Sequence, residues 1–304
     1  MAGALSVAEH LGIPSVAAFH DNCAMFPSPH RPPLTVPGNI SHLVPLPPGV
    51  NDNQALWDLN AQGNQVVYGE ALNTNRKSIG LPPVDNFRDY VVGDRPWLAS
   101  DPILDLWYEH APELDVVQTG VWFLSDTRKL PDDLENFLNA GSPPVYVGFG
   151  SAPMRTSPGV VRVAVEAVRA QGYRLLLSRG WADLALADDG KDCFIVGEVN
   201  HHDLFGRVAA VVHHGGAGTL ATAARAGAPQ VVVAQYGDQT YWAGRVAKLG
   251  LGAAHDGPTP TSDSLSDAIE VALSPRICAR ASSMASAIRT DGATVAANLL
   301  LGEH

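Results

Sequence analysis

From Pro143 onward the chain alternates short apolar runs with longer stretches whose apolar residues recur at helical spacing. The runs cover residues 145–149, 174–178, 193–196, 210–213, 230–234 and 252–254. Few polar residues interrupt them, the mark of strands buried on both faces rather than on one. Helical periodicity occupies 160–170, 218–226 and 239–249, a short helical turn fits 202–207, and helices fill most of 261–301. Strand and helix in repeated alternation predict an α/β fold with a parallel, doubly wound, Rossmann-like sheet. Ligands of such a sheet gather at the carboxyl ends of its strands.

Residues before about 142 lack this rhythm. A helix end over 5–10 leads through Gly12 to a short strand, 15–19. Such a pair is too small to close a sheet or to bury its own apolar face. Residues 27–48 hold eight prolines (Pro27, Pro29, Pro32, Pro33, Pro37, Pro45, Pro47 and Pro48). That density bars helix and central strand and predicts a long surface loop. A helix over about 52–77 is stopped by Gly80 and Pro82-Pro83, and strand-like runs follow at 89–92 and 116–123. Residues 125–142 are polar and punctuated by Pro131 and Gly141, so they read as a linker between a first domain, 1–124, and a second, 143–304.

The length, 304 residues, fits two domains of ordinary size. A net charge of -11 with no Lys/Arg run argues against nucleic acid as a partner. Any anion must therefore be held by local N–H groups rather than by the overall field. Cys23, Cys193 and Cys278 are scattered and form no C-x-x-C, so neither a disulfide framework nor a zinc cluster is expected. Met1 opens no secretory signal, and no stretch reaches the ~18 apolar residues of a membrane span. A cytoplasmic protein without a membrane partner is the expectation.

The chemistry concentrates in Val211-Val212-His213-His214-Gly215-Gly216-Ala217-Gly218-Thr219. An apolar strand here runs into small residues that open a helix. Glycines let a ligand approach the backbone, and a helix N-terminus turns N–H groups and its positive dipole end toward an anion. His214 can add a hydrogen bond or a charge to a phosphate, and Thr219 a hydroxyl. The spacing is neither G-x-G-x-x-G nor G-x-x-x-x-G-K-[ST]; a glycine-rich turn over buried histidines would carry the same letters. One βα unit later stands Gln235-Tyr236-Gly237-Asp238-Gln239. There an acid and an amide can hold the hydroxyls of a polyol, or the acid can simply cap the helix that starts at Gln239. His201-His202 and His213-His214 look like metal ligands, but adjacent residues of an extended strand face opposite ways, and no Cys or carboxylate supports them. No metal is expected.

The two motifs together resemble the donor site of inverting GT-B glycosyltransferases of the bacterial antibiotic type. The flanking blocks 69–83, 143–151, 177–181, 197–200, 204–207 and 243–256 resemble those acting on vancomycin-group glycopeptide aglycones. The resemblance implies a complete C-terminal Rossmann-like domain behind an incomplete N-terminal one on the acceptor side. It implies that His214 and the backbone of Gly215, Gly216, Ala217, Gly218 and Thr219 hold the donor diphosphate, with Ser151 as a further phosphate contact. Trp181 would stack on the pyrimidine, the main chain of Val199 would meet the base edge, and Asp238 and Gln239 would hold sugar hydroxyls. Taken alone, Trp181 reads as a packing aromatic and Ser151 as a turn residue. No cofactor is implied; a UDP- or dTDP-sugar is the co-substrate and a glycopeptide aglycone the acceptor.

Inverting transfer needs a general base for the acceptor hydroxyl and a stabiliser for the departing diphosphate. In the resembled family the base sits after the first strand of the N-terminal domain. This chain begins at what looks like the last helix–strand unit of that sheet, so the base is expected upstream of Met1. Asp238 is the remaining acid near the reacting centre, already assigned to the sugar. A truncated reading frame, a decayed gene or a fragment working with a partner chain would each account for this. The expectation is a hexosyltransferase or, alternatively, a nucleotide-sugar-binding module without turnover. An epimerase on the same scaffold would need acid/base residues that the sequence does not place.

Overall fold

A computed structural model describes residues 2–34, 49–107, 114–150, 159–179 and 191–302. The chain divides into two compact units, Met1–Gly120 together with Gly292–His304, and Val121–Asp291.

The first unit opens with α1 (Ala2–Leu11) and β1 (Ala18–Phe19), followed by α2 (Asn53–Ser78), α3 (Phe87–Val92), β2 (Trp97–Leu98) and β3 (Val117–Gln118). The opening helix–strand pair is therefore not alone: β1 pairs with β2, and β2 with β3, all in parallel. Helix α2 starts where the Asp52 side chain accepts the Gln54 N–H and ends on Arg76 and Lys77, matching the helix dipole at its C-terminus. The Arg76 guanidinium is buried and donates to Glu9, Ser6, Tyr90 and the Pro82 carbonyl, tying α1 and the segment of α3 to α2. Phe26, Val92 and Leu98 form the core beside the sheet.

Residues 89–92, expected as a strand, belong to α3. The Asn86 side chain accepts the Asp89 N–H and caps the turn. Arg88 then anchors it on the Trp57 carbonyl. A cap and a buried anchor outweigh the strand preference of Val91-Val92, which is a weak and context-dependent force.

The second unit contains α4 (Asp132–Asn139), β4 (Val145–Gly148), α5 (Val160–Ala170), β5 (Leu175–Ser178), β6 (Cys193–Val196), α6 (His201–Leu204), β7 (Ala210–His213), α7 (Ala217–Ala226), β8 (Gln230–Val232), α8 (Gln239–Leu249), β9 (Gly252–Ala254), α9 (Ser262–Ala272) and α10 (Pro275–Ala285). All six strands run parallel in the order β6-β5-β4-β7-β8-β9. Counted within the unit this is 3-2-1-4-5-6, the doubly wound order, and it reverses direction between β4 and β7. Alternate side chains feed two cores. Val145, Val147 and Val212 pack with α5 and α9, while Tyr146, Leu176 and Val211 pack on the other face with α4, Phe205 and α7.

Helix α4 lies inside the stretch expected to be a linker. Its first turn carries Asp132, Asp133 and Glu135, which suit a helix N-terminus. Leu134 and Leu138 are buried in the second core, so the segment is part of the second unit. The last helix, α11 (Gly292–Leu301), belongs to the first unit by its contacts, although the sequence rhythm places it within the second domain.

Candidate functional site

The strands β4 and β7 are neighbours, with Gly148 paired to His213, and the loops leaving their carboxyl ends meet at the point where the strand order reverses. Gly150, at φ 63°, approaches the His214 ring so closely that a Cβ there would lie 3.1 Å from Cε1. A glycine after β4 is thus required both by its backbone angle and by the ring it faces.

The two histidines diverge, as adjacent residues at a strand end should. His213 is fully buried; its Nδ1 accepts the Gly215 N–H at 3.1 Å, so Nε2 carries the proton and donates to Gln230 Oε1 at 2.9 Å. Burial pushes the imidazole down to about 3, with the neighbouring His214 a lesser cause. His213 is therefore a neutral brace for the loop. Gly215 takes φ 96°, and a Cβ there would stand 2.8 Å from Val232 Cγ1 and 3.2 Å from the Gln239 backbone oxygen. Only glycine passes between β8 and α8 here.

His214 is half-buried, and its Nδ1 is buried with no hydrogen-bond partner among the described residues. Burial lowers its pKa, and the charge of Asp238 acts in the opposite direction. Helix α7 begins immediately after it, with Gly216 as N-cap and no side-chain cap. The first intrahelical bond runs from Leu220 N–H to the Gly216 carbonyl, so the N–H groups of Ala217, Gly218 and Thr219 have no partner inside the helix. An unfilled imidazole nitrogen beside an uncapped helix N-terminus is a place for an anion.

The Asp238-Gln239 pair opens α8. Asp238 makes no side-chain cap; its Oδ2 accepts the Trp242 indole N–H at 2.9 Å. Trp242 went unnoticed in the sequence, although its i+4 spacing from Asp238 was the available signal. Gln239 is buried, and its Oε1 accepts the N–H groups of Gln235 at 2.8 Å and Tyr236 at 3.2 Å, which shapes the turn after β8. Its amide NH2 is the part left to donate outward.

Val199 is buried and packs in the core beside Leu204 and Phe205. Asn200 fixes that loop: its Nδ2 donates to the carbonyls of Asp126 and Arg128, and its Oδ1 accepts from His202 and Asp203 N–H. His201 and His202 stand on a helix rather than a strand, yet they also diverge. His201 stacks on Phe205 and meets the Tyr146 hydroxyl at 3.1 Å, while His202 sits edge-on to Phe123. Ser151 and Trp181 lie outside the described residues.

A parallel six-stranded sheet with an uncapped helix N-terminus at its switch point and an acid–amide pair one unit later defines a doubly wound, Rossmann-like α/β protein. Comparison narrows it. Residues 188–295 match the family described as erythromycin biosynthesis protein CIII-like, C-terminal domain. The chain is 54% identical over 306 residues to the vancomycin aglycone glucosyltransferase of Amycolatopsis orientalis, covering 98% of this chain and 71% of that one. It is 52% identical to the dTDP-epi-vancosaminyltransferase of the same organism, over 83% of this chain and 64% of the other. The solved glycosyltransferase of kitacinnamycin superposes with a TM-score of 0.67 at 22% identity, over 98% of this chain and 72% of that one. At that identity the likeness speaks for the fold alone. The chain belongs to the GT-B glycosyltransferases, in the branch that contains the vancomycin aglycone enzymes.

Proposed function

We propose that this protein transfers a hexose from a UDP- or dTDP-sugar to a hydroxyl of a glycopeptide antibiotic aglycone, with inversion. One observation carries the reading: His214 Nδ1 is buried, without a partner among the described residues, beside the uncapped N-terminus of α7 at the switch point of the sheet. In a single displacement the acceptor oxygen bonds to the anomeric carbon as the carbon–oxygen bond to the diphosphate breaks. The electron pair leaves with the diphosphate, and the acceptor proton passes to a base. The N–H groups of Ala217, Gly218 and Thr219, aligned before the reaction, stabilise the charge that builds on the leaving oxygen, while the Gly215 N–H stays on His213 Nδ1 and shapes the loop. Burial lowers the pKa of His214 and so disfavours its charged form; an arriving dianion acts in the opposite direction and favours the imidazolium, which can donate to it. Asp238 and the NH2 of Gln239 hold sugar hydroxyls, the main chain of Val199 meets the base, and Ser151 and Trp181 complete the phosphate and pyrimidine contacts.

Asp238 also favours a second reading. Its Oδ2 accepts from Trp242, and sugar binding occupies it further, so it is a poor base for the acceptor. A chain that binds donor and does not turn over would follow. Calorimetry with UDP, dTDP and the matching nucleosides, alongside a transfer assay on a glycopeptide aglycone, separates the possibilities. The wild type is expected to bind a diphosphate, and His214→Ala to lose about 10- to 100-fold for the diphosphate while the nucleoside is unaffected. No binding of either diphosphate by the wild type sinks the donor site. Equal losses for diphosphate and nucleoside remove His214 from the phosphate. Binding without transfer selects the second reading.

A further inference from the structure

Gln235 stands at the carboxyl end of β8, and its side chain is almost fully buried, at 6% exposure. The amide NH2 donates to the Val233 carbonyl at 3.2 Å and to the Pro258 carbonyl at 2.8 Å. Both partners are acceptors, so the nitrogen must face them and the amide cannot be turned over. Its Oε1 is thereby fixed in place, buried, and without a donor among the described residues. A buried carbonyl oxygen without a donor is costly, and an apolar side chain of the same size would avoid the cost. The position is also specific. The Gln235 backbone N–H donates to Gln239 Oε1, so the unfilled acceptor belongs to the same turn as Asp238 and Gln239.

We propose that Gln235 Oε1 accepts a hydrogen bond from a hydroxyl or amino group of the donor's sugar and so determines which sugars the site takes. This rests on the reading of the site as a nucleotide-sugar site. A carbonyl oxygen only accepts, so it rewards an O–H or N–H at the carbon it faces. It penalises a sugar deoxygenated there, because the oxygen then stays buried and unpaired. The NH2 contacts to Val233 and Pro258 hold the turns after β8 and β9 together, which is a separate and structural task.

The test measures binding of UDP, UDP-glucose, dTDP-glucose and their 2-, 3-, 4- and 6-deoxy analogues to wild type and to Gln235→Met. Methionine keeps the length and packing and removes the acceptor. In the wild type one deoxy analogue should bind about tenfold more weakly than its parent. In Gln235→Met the parent sugar should lose the same factor, that analogue nothing further, and UDP nothing. Losses that fall equally on UDP and UDP-glucose would make Gln235 structural and overturn the proposal. So would a deoxy penalty that persists undiminished in Gln235→Met, or deoxy analogues that all bind like the parent. Should Gln235→Met fail to fold, the side-chain amide resonance of Gln235 in the wild type decides. It should shift with UDP-glucose beyond its shift with UDP, and a resonance indifferent to the sugar overturns the proposal. Failure of the wild type to bind UDP or dTDP at all would instead count against the donor site itself.

Discussion

His213 and His214 share a backbone turn and differ in what burial does to them. His213 is braced between Gly215 N–H and Gln230 and stays neutral down to about pH 3, whereas in the unfolded chain it protonates near pH 6.5. Because the folded pKa is the lower one, the unfolded state takes up the proton first. Stability is therefore complete above about pH 6.5 and declines as the pH falls toward 3. At pH 5 the loss from this one residue is about 2 kcal/mol relative to pH 7. Urea unfolding at the two pH values should show it. His213→Gln, whose amide does not titrate in this range, should be less stable at both but lose less between them. An unchanged difference would place the acid sensitivity elsewhere.

At the level of elements, α4 carries the clearest disagreement between pattern and packing. Polar residues with a proline and a glycine read as a linker, yet Leu134 is fully buried in the core that includes Tyr146 and Phe205. Leu134→Ala is expected to destabilise the second unit by about 3 kcal/mol, measured by denaturant unfolding, against almost nothing for a leucine in a linker. The second unit's strands were legible because strands buried on both faces are continuous apolar runs, and β4 to β9 fall within a residue or two of the expected places. The first unit was less so. Its strands β1, β2 and β3 are two residues each, too short for periodicity, and β2 (Trp97–Leu98) carried no signal. In the site, the glycine cluster and Asp238-Gln239 announced themselves through residue type and order. Gly150, Trp242 and Gln235 did not, since each acts through a neighbour in space: a ring across the switch point, a carboxylate one turn back, a carbonyl on the next loop.

The whole chain is organised as one unit inserted into another, since residues 121–291 interrupt a first unit that resumes at Gly292. Removing residues 292–304 should therefore loosen the first unit and spare the second. Hydrogen exchange would show protection lost in α1 to α3 while β4 to β9 keep theirs; uniform loss, or loss confined to the second unit, would contradict the division. The two crossings between the units are also neighbours. A Cβ on Gly120, at φ 95°, would come within 3.4 Å of the Gly292 Cα. For anyone recombining halves of related enzymes, this sets the joints. A hybrid cut once, in the stretch 125–142, inherits a foreign C-terminal helix and separates α4 from the sheet it packs on. A hybrid cut twice, at 120–121 and 291–292, exchanges residues 121–291 whole and leaves each α11 with the partner it evolved against.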